Sequence, residues 1–160
     1  MIKKLSAVAA IAALALVSAA SGALADPGGT TGGQPFDVNL VAEEEVAPFV
    51  GVEGASGEGV VRFNRGQERI CADIEIDNFT PVLAHIHVGE AGTNGDVVVD
   101  LTPLITASGD IVGCVDAERS LVKQISKNPE GYYVNTHADL PPFAPGGSTA
   151  FFDGIRGQLA

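Results

Sequence analysis

The sequence predicts an all-β chain: an antiparallel β-sandwich with one short helix and one disulfide. Three observations carry this. Short runs alternate apolar and polar residues, as in Arg69-Ile70-Cys71-Ala72-Asp73-Ile74-Glu75-Ile76, which places every second side chain on one face. Twenty glycines gather largely between those runs, where turns are needed. A single stretch, residues 116–127, carries an apolar stripe at helical spacing and is stopped by Pro129.

Taken in order, the expected strands are Phe36–Val41, Val60–Phe63, Glu68–Ile76, Val82–Val88, Asp96–Leu101, Gly131–His137 and, last, Thr149–Leu159, while Cys114 stands in the short run Ile111–Val115. Asn64-Arg65-Gly66-Gln67 reads as a tight turn, Gly51 to Gly59 as a longer one, and Gly92, Asn94 and Gly95 as a loop. Asp116 is the expected N-cap of the helix, with Glu118 in its first turn and Leu121, Val122 and Ile125 facing inward. Leu140 to Gly147, with three prolines and a glycine pair, reads as a loop.

The chain opens with an export signal. Lys3 and Lys4 precede an apolar run from Leu5 to Val17, and Ala23-Leu24-Ala25 supplies a small-x-small cleavage pattern before Asp26. The expected division is residues 1–25 as signal peptide, 26–35 as a flexible Gly/Pro/Thr linker and 36–160 as one domain. Removing the signal leaves seven basic against twenty acidic residues, a formal charge of −13. Such a balance argues against nucleic acid and, once the signal is cut, against membrane surfaces, both of which attract Lys/Arg patches. The expected setting is secreted, extracellular or periplasmic, with an extracellular protein or surface ligand as partner.

Cys71 and Cys114 are the only cysteines. An even count in an exported chain reads as one disulfide; two thiols acting as soft copper ligands are the alternative. No Gly-x-Ser-x-Gly elbow accompanies Ser108 or Ser148, so no nucleophile is identified and no enzyme activity is expected. Glu90, Asn94, Asp96 and Asp100 could gather Ca²⁺ but lack the EF-hand spacing. Asn78-Phe79-Thr80 is a glycosylation sequon.

All three histidines stand in strand-like runs: His85 and His87 in Ala84-His85-Ile86-His87-Val88, and His137 closing Tyr132-Tyr133-Val134-Asn135-Thr136-His137. A spacing of two puts His85 and His87 on one face, opposite Ala84 and Ile86; Tyr133, Asn135 and His137 likewise share a face. If the two strands are neighbours, the three imidazoles converge. Three readings stand: hydrogen-bonding residues of an exposed sheet face, a mononuclear copper or zinc site with an open fourth position, or a general base. Arg156, near the end of the last strand, is expected to pair with an acidic neighbour.

The run His85 to Leu101, the segment Asn128-Pro129-Glu130-Gly131-Tyr132-Tyr133-Val134-Asn135-Thr136-His137 and the closing Ile155-Arg156-Gly157-Gln158-Leu159 resemble the three signature blocks of the CHRD domain. Leu40 to Pro48 is similar to that family's opening. The resemblance implies a β-sandwich in an extracellular binding or structural module and no established catalysis. The His-x-His strand is also faintly similar to copper/zinc superoxide dismutase, whose copper ligands lie outside its barrel, so the Greek key is expected to be immunoglobulin-like or dismutase-like. This chain departs from that enzyme: it has too few histidines for a two-metal site, and its acidity would repel superoxide.

Overall fold

The computed structural model describes residues 32–138 and 154–160. The expected signal peptide, most of the linker, the loop Leu140–Gly147 and the start of the last expected strand lie outside the described residues. Eight strands form one antiparallel sheet: β1 Gln34–Val41, β2 Ser56–Asn64, β3 Arg69–Asp77, β4 Leu83–Val88, β5 Val97–Asp100, β6 Ile111–Asp116, β7 Tyr132–His137 and β8 Gly154–Gln158. Helix α1, Arg119–Lys127, follows β6. Along the sheet the order is β5-β4-β7-β8-β1-β2-β3-β6. The sheet rolls toward a barrel, and the segment after β5 links its two ends. Thr102 there donates its hydroxyl to the Ala84 carbonyl, and Ile105 bridges Ile111.

Alternation explains which side chains enter the core. Phe36, Val38 and Leu40 of β1, Val61 and Phe63 of β2, and Ile70, Ala72, Ile74 and Ile76 of β3 all point inward. Ala84 and Ile86, Val134, and Ile155 complete that face from β4, β7 and β8. Val122 and Ile125 of α1 cover one end. Burying such side chains contributes about 1.5–3 kcal/mol each against the entropy of ordering the chain.

Three expectations need correction. Ser56 to Gly59 belongs to β2, not to a turn. At Gly59 a Cβ would run into the Asp73 carbonyl of β3, so a residue without one lets the two strands close. Asp116 does not cap the helix. It remains paired with Arg69 of β3, and Ala117 extends that ladder by donating to the Glu68 carbonyl, so α1 begins only at Arg119 behind Glu118. Alternation gives Val82, Ala84, Ile86 and Val88 one inward face, but only Ala84 and Ile86 are buried: Val82, just before β4, and Val88, at its end, are 42% and 41% exposed.

Cys71 and Cys114 are bonded, directly opposite one another in the β3–β6 ladder, and no free cysteine remains among the described residues. The bond closes a loop of sequence separation 43 and pins β6, an edge strand of the sheet. Chain entropy assigns it about 4 kcal/mol. Reduction, or the pair Cys71→Ser and Cys114→Ser, is therefore expected to lower the thermal midpoint by on the order of 10 °C while leaving a cooperative transition. Intact mass measurement with thiol alkylation and a melting curve check both halves. Gly59→Ala is expected to cost about 1–3 kcal/mol in a denaturant titration, since backbone must shift to admit the methyl group.

Candidate metal centre

The centre is built on the outer face of β4 and β7. Their ladder pairs Leu83 with His137, His85 with Asn135 and His87 with Tyr133. His85 and His87 thus face out from β4 at a spacing of two, and His137 lies diagonally across from His85 on β7. Ring centroids are 5.7 Å apart for His85 and His87, 5.5 Å for His85 and His137, and 6.4 Å for His87 and His137. One ligand nitrogen from each ring comes within 4.8 Å of the other two. Among the described residues this trio is the grouping of metal-ligating side chains that the fold assembles. The acidic loop does not make one: Asn94 donates to the carbonyls of Val46 and Ala47, and the Asp100 carboxylate accepts the Thr102 N–H.

An outward face would ordinarily be wet, yet all six residues of β7 are buried and His137 is only 6% exposed. Two loops cover the face. Residues 42–52 bring Phe49 to 6.2 Å from His137, and residues 89–96 lie over His87. A bulge helps to shape this edge: Ile86 pairs with Val99 but His87 with Val97, so Val98 is the extra residue.

Two rings have one bare nitrogen. His87 Nδ1 lies 2.9 Å from the Gly95 carbonyl, which fixes the proton there, and its buried Nε2 has no hydrogen-bond partner. His85 Nε2 lies 3.8 Å from the Asp100 carboxylate, and its buried Nδ1 has no partner. His87 thus has one nitrogen held by an oxygen and a lone pair on the other, the arrangement found around metal-bound histidines, whereas the carboxylate beside His85 stands beyond hydrogen-bond distance. Burial lowers the basicity of both rings below the usual histidine value. His87 adds to the effect on His85, and the Gly95 carbonyl opposes it at His87, where Arg156 lowers it further. Both rings are therefore in the neutral, electron-donating form at neutral pH.

Arg156 of β8 lies beside this face, with the acidic neighbours Glu45 and Glu44 acting on it. It is 1% exposed, and its guanidinium lies 3.4 Å from the centroid of the Tyr133 ring. It donates to the Asn94 side-chain oxygen and the Glu90 main-chain carbonyl, while Glu45 and Glu44 act on it electrostatically. It thus meets an aromatic ring, an amide and a backbone carbonyl within the field of two carboxylates. Tyr133 in turn stacks on His87, at 4.9 Å and 8° between planes. Sequence reasoning placed Tyr133 on the correct face but assigned it no part. The available signal was its position directly across from His87, which becomes visible only once the β4–β7 register is known.

Asn78 of the sequon is exposed and donates to the Gly54 carbonyl. Among the described residues no helix is long and apolar enough to cross a membrane.

No curated protein and no solved structure gives a significant match to the chain. The CHRD domain does match, over residues 36–142, a span that includes all three histidines, Tyr133 and both cysteines. With eight antiparallel strands, the disulfide and this match in agreement, the chain belongs to the CHRD domain family.

Proposed function

We propose that this protein is an exported, non-enzymatic CHRD module that binds one copper or zinc ion through His85, His87 and His137. The observation that carries the reading is the pair of buried, unpartnered ring nitrogens on His85 and His87, facing the same small space as the third ring. A buried polar atom without a partner costs free energy and calls for an explanation, which a coordinated metal supplies. Three neutral imidazoles suit Cu(II) or Zn(II) and leave one position for water or a ligand group of a partner. Bonds of about 2.0 Å in a tetrahedral site set nitrogen–nitrogen separations of about 3.3 Å, so the trio closes by small side-chain rotations when the ion enters.

The export pattern at residues 1–25 and the CHRD membership support an extracellular or periplasmic setting, where an acidic surface aids solubility and draws cations. The partner of the module is an extracellular protein or surface ligand. Arg156 is committed to Tyr133, Asn94 and Glu90, so it does not serve as an open guide for an incoming anion.

The purified, metal-free chain is expected to bind one equivalent of Zn(II) or Cu(II). At a free concentration a hundredfold above Kd, the ion should stabilise the fold by about 2.7 kcal/mol. His87→Ala or His137→Ala should weaken binding at least a hundredfold. Calorimetric titration and thermal melts read both effects. The reading fails if the native chain takes up no stoichiometric metal, or if either variant binds as well as the native chain. The copper-loaded protein should dismutate superoxide no faster than free Cu(II); a rate well above that, lost on His87→Ala, would show the module to be an enzyme.

A further inference from the structure

We propose that Tyr133, clamped by Arg156, is a positioning residue that decides which nitrogen His87 offers to the metal. The inference rests on the trio being a metal site, and it adds the device that aims one of its ligands.

The contacts form a closed circuit. The Gly95 N–H donates to the Tyr133 hydroxyl at 3.2 Å, and the Gly95 carbonyl faces His87 Nδ1 at 2.9 Å. Tyr133 thus holds the residue that holds His87. The Tyr133 ring also lies parallel to the imidazole at 4.9 Å, which fixes the plane of His87 as well as its proton. At Gly95 no side chain is tolerated, because a Cβ would run into the Val88 carbonyl oxygen, so the loop passes close enough to complete the circuit.

Arg156 keeps Tyr133 in place. β7 lies between β4 and β8, so the ring is contacted by His87 from one neighbouring strand and by the guanidinium from the other. A cation 3.4 Å from an aromatic centroid, shielded from water, is held strongly. Its bond to the Asn94 side chain joins it to the same loop that carries Gly95. Tyr133 and Arg156 touch no metal ligand atom: they act through the orientation of His87. A ring that had to be sorted between two tautomers and two orientations would bind more weakly, and partners of this kind are commonly worth 10–100-fold in metal affinity.

The test uses the full chain, Zn(II) as the probe, and two readouts. Nitrogen-15 NMR of the metal-free protein reports the tautomer of His87, and competition with a chromophoric chelator reports Zn(II) affinity. The native protein is expected to show one Nδ1–H tautomer at His87. Tyr133→Phe keeps the stacked ring but removes the acceptor for Gly95; it should give a tautomer mixture and about tenfold weaker Zn(II) binding. Tyr133→Leu removes the stack as well and should weaken binding by about a hundredfold. If Tyr133→Leu fails to fold in a melting experiment, the conservative Tyr133→Phe carries the test. The proposal is overturned if the native His87 is the Nε2–H tautomer, or if Tyr133→Phe leaves both tautomer and affinity unchanged. A native chain that binds no Zn(II) would remove the metal reading instead, and the metal-free NMR result would still decide whether Tyr133 orients His87.

Discussion

The register between β4 and β7 is the constraint on which the site depends. Side chains alternate with a period of two, so a slip of one residue would turn His85 and His87 inward and carry Ala84 and Ile86 outward. The apolar set prevents this: Ala84 and Ile86 on β4, with Val134 on β7, are fully buried against the core. The hydrophobic effect that closes the sandwich therefore also fixes the histidines on the opposite face. Pairing Leu83 with His137 and His87 with Tyr133 then makes three rings neighbours although residues 89–131 separate the two strands.

A shared face alone would leave the imidazoles wet and protonatable. Loops supply the burial. The 89–96 segment places a carbonyl against His87, and Asn94 ties that segment to the 42–52 loop through the carbonyls of Val46 and Ala47. Burial keeps His85 and His87 neutral, and a neutral ring with one nitrogen engaged presents a lone pair on the other. The polar face of the sheet is thus organised as carefully as the core, with hydrogen bonds and ring stacking in place of apolar packing.

Membership of a domain family and assembly of a site are separate findings. The match to the CHRD domain fixes what kind of unit this is, while the chemistry available to it comes from a few side chains placed by the sheet. In this chain the sheet brings three imidazoles together and sets a buried arginine against a tyrosine beside them.

By itself the sequence determined the strands and their faces, because the period of two in segments such as Arg69–Ile76 reports local geometry directly. It also pointed to the disulfide, since two cysteines behind an export-like pattern have one partner each. The site was legible as three histidines on outward faces, and their convergence only on the condition that the two strands are neighbours, which the periodicity of each strand alone does not decide. What the tertiary structure decided is non-local. It paired β4 with β7, kept Asp116 in a ladder instead of at a helix cap, and drew Ser56–Gly59 into a strand by close contact with β3. It also buried an outward face beneath two loops and gave Arg156 a tyrosine for a neighbour. Each of these depends on which distant segment lies alongside, and side-chain periodicity within one segment carries no information about that.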